Sequence, residues 1–115
     1  MIIKIIKKKI TRDELENIAK ENYGDMVKGV VDIKKEIIAL GGELHSDANA
    51  LLIEKQGSNQ RNIWGFNVFP DRSKEQWLEF VSLINIRPAD NNFDIEIQNS
   101  EIKEKIKQII NKLIE

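Results

Sequence analysis

The sequence predicts an α+β domain, an antiparallel sheet of about five or six strands with two helices, in the order strand, helix, two hairpins, long strand, helix. Three observations carry that prediction. Runs rich in β-branched residues, such as IIKII, VKGVV and NIWGFNV, suit a pleated surface. Apolar residues recur at helical spacing after Thr11 and again after Asn99, each of which is a good N-cap. Short turn-forming stretches separate the β-like runs, which favours hairpins over crossovers.

Residues 2–6, broken by Lys4, read as an opening strand that Lys7, Lys8 and Lys9 end. Thr11 followed by Glu14 matches a capping box, and Leu15, Ile18, Ala19 and Tyr23 then share a helical face; a helix over 12–22 closes at Gly24. DMVKGVVDIKKEIIALGG, residues 25–42, fits either a helix with Asp25 as N-cap or a hairpin turning around Asp32 to Glu36. The hairpin is preferred, because Gly29 inside a helix costs about 1 kcal/mol relative to Ala and its β-branched neighbours favour a strand. ALLIEKQ (50–56) and NIWGFNVFP (62–70) read as strands joined through GSNQR (57–61). EQWLEFVSLINIRP (75–88) alternates as one long strand. Leu78, Phe80, Ser82, Ile84 and Ile86 line one face of it, and Trp77, Glu79, Val81, Leu83, Asn85 and Arg87 the other. Asn99 then caps a helix with an apolar stripe of Ile102, Ile106, Ile109, Ile110 and Leu113.

The chain has 115 residues, 41% hydrophobic and 32% charged, which is the size and balance of one folding unit; no linker or repeat divides it, so 1–115 is expected to be a single domain. Its 18 basic and 19 acidic residues give a net charge of -1, no field for gathering polyanions, and nucleic acid is not an expected partner. The absence of cysteine excludes disulfides, thiolate nucleophiles and thiolate metal sites. MIIKIIKKKI carries its apolar and basic parts in the wrong order for a secretion signal, and no apolar run approaches the roughly 18 residues of a membrane span, so a cytoplasmic location is expected.

GGELHSD (41–47), QGSNQRNIWG (56–65) and LINIRP (83–88), followed by a C-terminal amphipathic helix, resemble a family of small prokaryotic proteins catalogued only as a domain of unknown function. The resemblance covers nearly the whole chain and implies no activity. It also implies a glycine near Glu36, which favours the hairpin, and an Asp-Pro pair where this chain has Asn99-Ser100.

Any site is expected among three polar segments. On an extended strand Glu43, His45 and Asp47 stand in a row on one face, around the only histidine. The row has the donor types of a transition-metal site, but one histidine without cysteine is a poor ligand set, so neither a metal nor another cofactor is expected. Alternatively His45 acts as a general acid or base whose pKa Glu43 or Asp47 raises, while Arg87 stabilises developing charge. Asp47, Asn85 and Trp77 are the candidate ligand-binding residues, Trp77 by stacking. The leading functional expectation is a small cytoplasmic binding or interaction module for a small molecule or a protein. It pairs as a homodimer through a strand edge or the face bearing Trp77, Val81 and Leu83. A small hydrolase or nuclease-like enzyme built on His45, Glu43 and Arg87 is the alternative, and a metal-dependent form of that site is the third.

Overall fold

A computed structural model describes residues 1–115 and shows an α+β chain with one five-stranded antiparallel sheet and three helices. The elements run β1 (Ile3–Ile6), α1 (Arg12–Lys20), β2 (Val27–Asp32), β3 (Ile37–Gly41), α2 (His45–Gln56), β4 (Ile63–Val68), β5 (Leu78–Glu79) and α3 (Ser100–Leu113). Across the sheet the order is β1-β3-β2-β4-β5. No helix is long and apolar enough to cross a membrane.

Local chemistry explains most of these elements. The Thr11 hydroxyl accepts the Glu14 amide at 3.1 Å and starts α1, as the capping box predicts. Asn99 likewise accepts the amides of Glu101 and Ile102 to start α3. The β2–β3 hairpin, preferred from Gly29, is present, and its turn is held by Asp32, whose Oδ1 accepts the Lys34 and Lys35 amides at 2.9 and 3.0 Å. Glu36 completes the turn at φ 57°, the left-handed conformation in which glycine is unstrained, which accounts for the glycine the family resemblance implies there. Its carboxylate reaches Lys105 and Lys112 of α3 and so ties the turn to that helix.

The sheet is covered on both faces. Val27, Val31, Ile38, Leu40, Trp64, Phe66 and Val68 meet α1 and α3, while Val30, Ile37, Ala39 and Ile63 meet Ala48 and Leu52 of α2. Opposite faces take alternate residues of each strand, as the pleat requires. Gly29 pairs with Phe66 across β2 and β4, and a Cβ at Gly29 would lie 2.5 Å from the Phe66 ring, so only glycine leaves room for it.

Two expected strands are absent. Residues 50–56 belong to α2, not to a strand, because Gly41 and Gly42, at φ 110° and 98°, turn the chain out of β3. Asp47 then reaches back to the Leu44 amide at 3.3 Å, and Gly57 at φ 65° closes the helix. Exposed Ile53 blurs the helical period, which is why ALLIEKQ reads as a strand. The long strand over 75–88 is also absent: pairing with β4 stops after Glu79, only isolated bridges to the 92–96 segment follow at Val81 and Arg87, and the chain breaks into single turns at Leu83–Asn85 and Pro88–Asp90.

Asn85 ends that strand. Its side-chain amide takes the place of a neighbouring strand on β4, accepting the Gly65 amide at 2.8 Å and donating to the Gly65 carbonyl at 3.0 Å. The same Nδ2 donates to the Ile95 carbonyl at 3.1 Å. Gly65 is required for this approach, since a Cβ there would sit 2.5 Å from Ser82 Cβ. Asn92 repeats the device one turn later, donating to the carbonyls of Asn85, Asp94 and Glu96 and accepting the Gln98 amide. Replacing Asn85 with Ala strands buried donors and acceptors on both sides, so Asn85→Ala is expected to lower the unfolding free energy by about 2–4 kcal/mol in urea titration. A loss below about 1 kcal/mol would show that water replaces the amide without cost.

Candidate functional site

The first turn of α2 stands over β2 and β4 and places the only histidine against the sheet. His45 is buried, and its Nε2 lies 2.8 Å from the Phe66 carbonyl. A carbonyl only accepts, so the neutral ring carries its proton on Nε2 and leaves Nδ1 as an acceptor. Lys28 projects from β2 onto the same face and donates to the Glu43 carbonyl at 2.9 Å, and no carboxylate pairs with it. Between these groups and the 81–95 segment lies a cavity of about 400 Å³. Its walls combine Leu44, Leu83 and Ile95 with a polar end made by Lys28, His45 and Asn67.

Burial lowers the His45 pKa below its ordinary value of 6.5, and the nearby Lys28 charge lowers it further; the Phe66 carbonyl and the Asn67 side chain act in the opposite direction. This reverses the sequence expectation of a raised pKa. The expected carboxylate partners are elsewhere, and the cation beside the ring is Lys28, not Arg87.

The row of Glu43, His45 and Asp47 does not form, because the segment is a turn followed by a helix. The Glu43 side chain is exposed, and only its backbone carbonyl is engaged, by Tyr23 and Lys28. The Asp47 carboxylate caps α2. Asn85 is fully buried in the backbone contacts described above. Arg87 donates to the carbonyls of Gln60, Arg61 and Ile63, lies 3.8 Å over the Trp64 ring, and is 3.8 Å from Asp90. Its guanidinium thus secures the turn before β4, and burial lowers its pKa. Trp77 is 1% exposed in the core beneath α1, with the Arg12 guanidinium 4.4 Å above its ring, so it offers no stacking face. Of the six sequence candidates, only His45 lines the cavity. No group of three or more His, Asp or Glu side chains is placed to hold a metal ion.

Sequence reasoning missed Lys28, Asn67, Leu44 and the 81–95 wall. A signal did exist for the first two: each is a polar residue at an alternate position of an otherwise apolar strand, which places it on the face that carries Val30 or Ile63. Nothing local marks the wall, which depends on where Asn85 anchors.

His45 should titrate below 6.5 by NMR, and Lys28→Met should move its midpoint upward, whereas Arg87→Lys should not. In the folded state the depressed pKa means that the unfolded chain binds the proton more tightly. The His45 contribution to stability is therefore complete above about pH 6.5 and is lost as the pH falls toward the folded midpoint. A midpoint at or above 6.5 would contradict the burial geometry.

No curated protein and no solved structure matches the chain. A family model does, over residues 4–113, in agreement with the resemblance carried by the three motifs. The chain belongs to the family described as "Protein of unknown function (DUF5674)".

Proposed function

We propose that this protein is a non-enzymatic binding module of the cytoplasm, and that the cavity under the first turn of α2 receives a small ligand with an apolar body and an anionic end. The observation that carries this reading is the cavity's division: apolar walls at Leu44, Leu83 and Ile95, with an unpaired Lys28 and a buried His45 at one end. About 400 Å³ is within the range of small-molecule sites, roughly 300–1,000 Å³. The hydrolase alternative has less support, because neither Glu43 nor Arg87 lines the cavity that His45 lines, and the Arg87 guanidinium is occupied by backbone carbonyls. Octanoate and octanol separate the charge from the apolar body. Octanoate is expected to raise the thermal midpoint saturably and to shift the His45 ring resonances, octanol less so, and Lys28→Met should remove the difference. If neither probe gives a saturable shift at the cavity, the reading fails.

Self-association is the second reading, favoured by one observation: Leu83 and Phe93, on the 81–95 segment, are 78% and 71% exposed. Trp77, expected on the same face, is in the core and takes no part in that contact. Sedimentation equilibrium should show dimer that Leu83→Glu together with Phe93→Glu converts to monomer; a wild-type monomer at the highest soluble concentration overturns it.

A further inference from the structure

A second site lies at the other end of α2. Asp32 is four residues beyond Lys28 on β2, about 13 Å along the strand, and there a polar basin of about 580 Å³ opens with no apolar side chain in its lining. The basin is bounded on one side by the β2–β3 turn and on the other by the turn Gln60–Asn62. The Ile33 amide donates to the Asn62 carbonyl at 3.0 Å and ties the two walls together, while within the second wall Asn59 accepts the Arg61 amide at 3.1 Å.

The charges are unbalanced. Lys34, Lys35 and Arg61 line the basin and none of them forms an ion pair. Glu36, the nearest acidic residue of the turn, is drawn away to Lys105 and Lys112. The only acidic member of the lining is Asp32, which is 0% exposed. Its Oδ1 is saturated by two backbone amides, and its Oδ2 is buried with no hydrogen-bond partner. A buried carboxylate oxygen is costly unless a donor reaches it, and no side chain of the basin donates to it here.

We propose that this basin binds the phosphate group of a small phosphorylated molecule, in its singly protonated form. Lys34, Lys35 and Arg61 hold the anionic oxygens, and the P–OH proton is donated to Asp32 Oδ2. Cations alone select any oxyanion; the carboxylate acceptor adds discrimination. Near neutral pH a phosphate monoester still carries a proton in part, its second ionisation being at about 6, whereas sulfate has none to donate and meets Asp32 as charge against charge. The basin is also roomier than a bare phosphate needs and retains space for the rest of a small ligand.

Amide chemical-shift titration at pH 6 and constant ionic strength, with inorganic phosphate, ribose 5-phosphate and sulfate, tests the proposal. Saturable shifts are expected at Lys34, Lys35 and Asn59 to Asn62 with both phosphates, and binding of sulfate weaker by about tenfold, the scale of one charge-assisted hydrogen bond. Tighter binding of ribose 5-phosphate identifies an ester as the ligand class; equal binding identifies phosphate alone, and both outcomes support phosphate recognition. Asp32→Asn keeps an oxygen for the Lys34 and Lys35 amides and should lose the preference over sulfate. Arg61→Gln, away from the hairpin turn, should weaken phosphate about tenfold without unfolding the chain. Equal affinity for sulfate and phosphate in the wild type, or no saturable shift in these residues, overturns the proposal whatever the variants do.

Discussion

The side-chain amide of Asn85, lying against the backbone of Gly65, is the contact on which the site-bearing half of this molecule depends. A strand at the end of a sheet presents amides and carbonyls that must find partners, and β5 supplies them only opposite Asn67 and Val68. Beyond that point one asparagine replaces a strand. A side chain makes such a bond at a single residue, so the chain that carries it is free to turn, and it does so at Leu83–Asn85 and Pro88–Asp90. Ser82 then fits against Gly65 where any larger residue would collide, and the 81–95 segment becomes the wall of the α2 cavity.

The polar residues within this protein serve the backbone before they serve a ligand. Arg87, which by type suits an anion, holds three carbonyls of the turn leading into β4. Asp47 caps a helix, and Asn92 gathers the loop that follows Asn85. A buried polar group satisfied by backbone contributes rigidity, and its removal strands the partners it leaves behind. Around α2, Lys28 at one end keeps donors beyond the one it gives to the Glu43 carbonyl, and at the other end Lys34, Lys35 and Arg61 form no ion pair while one oxygen of Asp32 has no hydrogen-bond partner. Both regions are on the sheet face that α2 covers, because Lys28, Val30 and Asp32 share that face of β2. A single helix therefore separates an apolar cavity from a polar basin.

Much of the architecture was legible from local patterns, since those patterns report interactions between residues close in sequence. Capping oxygens at Thr11 and Asn99, the β-branched runs of β2 and β4, and the Asp32 turn each act within a few residues, and each is found where the sequence places it. Helix α2 was missed because its apolar residues surround it, Ile53 facing solvent as Leu52 faces the sheet, so no single period dominates. Its ends were nevertheless written in Gly41, Gly42, Asp47 and Gly57.

The sequence by itself determined the class of fold, the hairpin at its centre, the first and last helices, and the family, because each rests on short-range spacing or on motifs read directly. Only the tertiary structure decided which polar residues are free to meet a ligand. Glu43, His45, Asn85 and Arg87 have the right chemistry for a common site, but whether they converge is set by contacts spanning twenty residues or more, such as Asn85 to Gly65, Arg87 to Gln60 and His45 to Phe66. Residue type states what a side chain can bond; burial and long-range packing determine what it has already bonded, and that is a property of the folded chain alone.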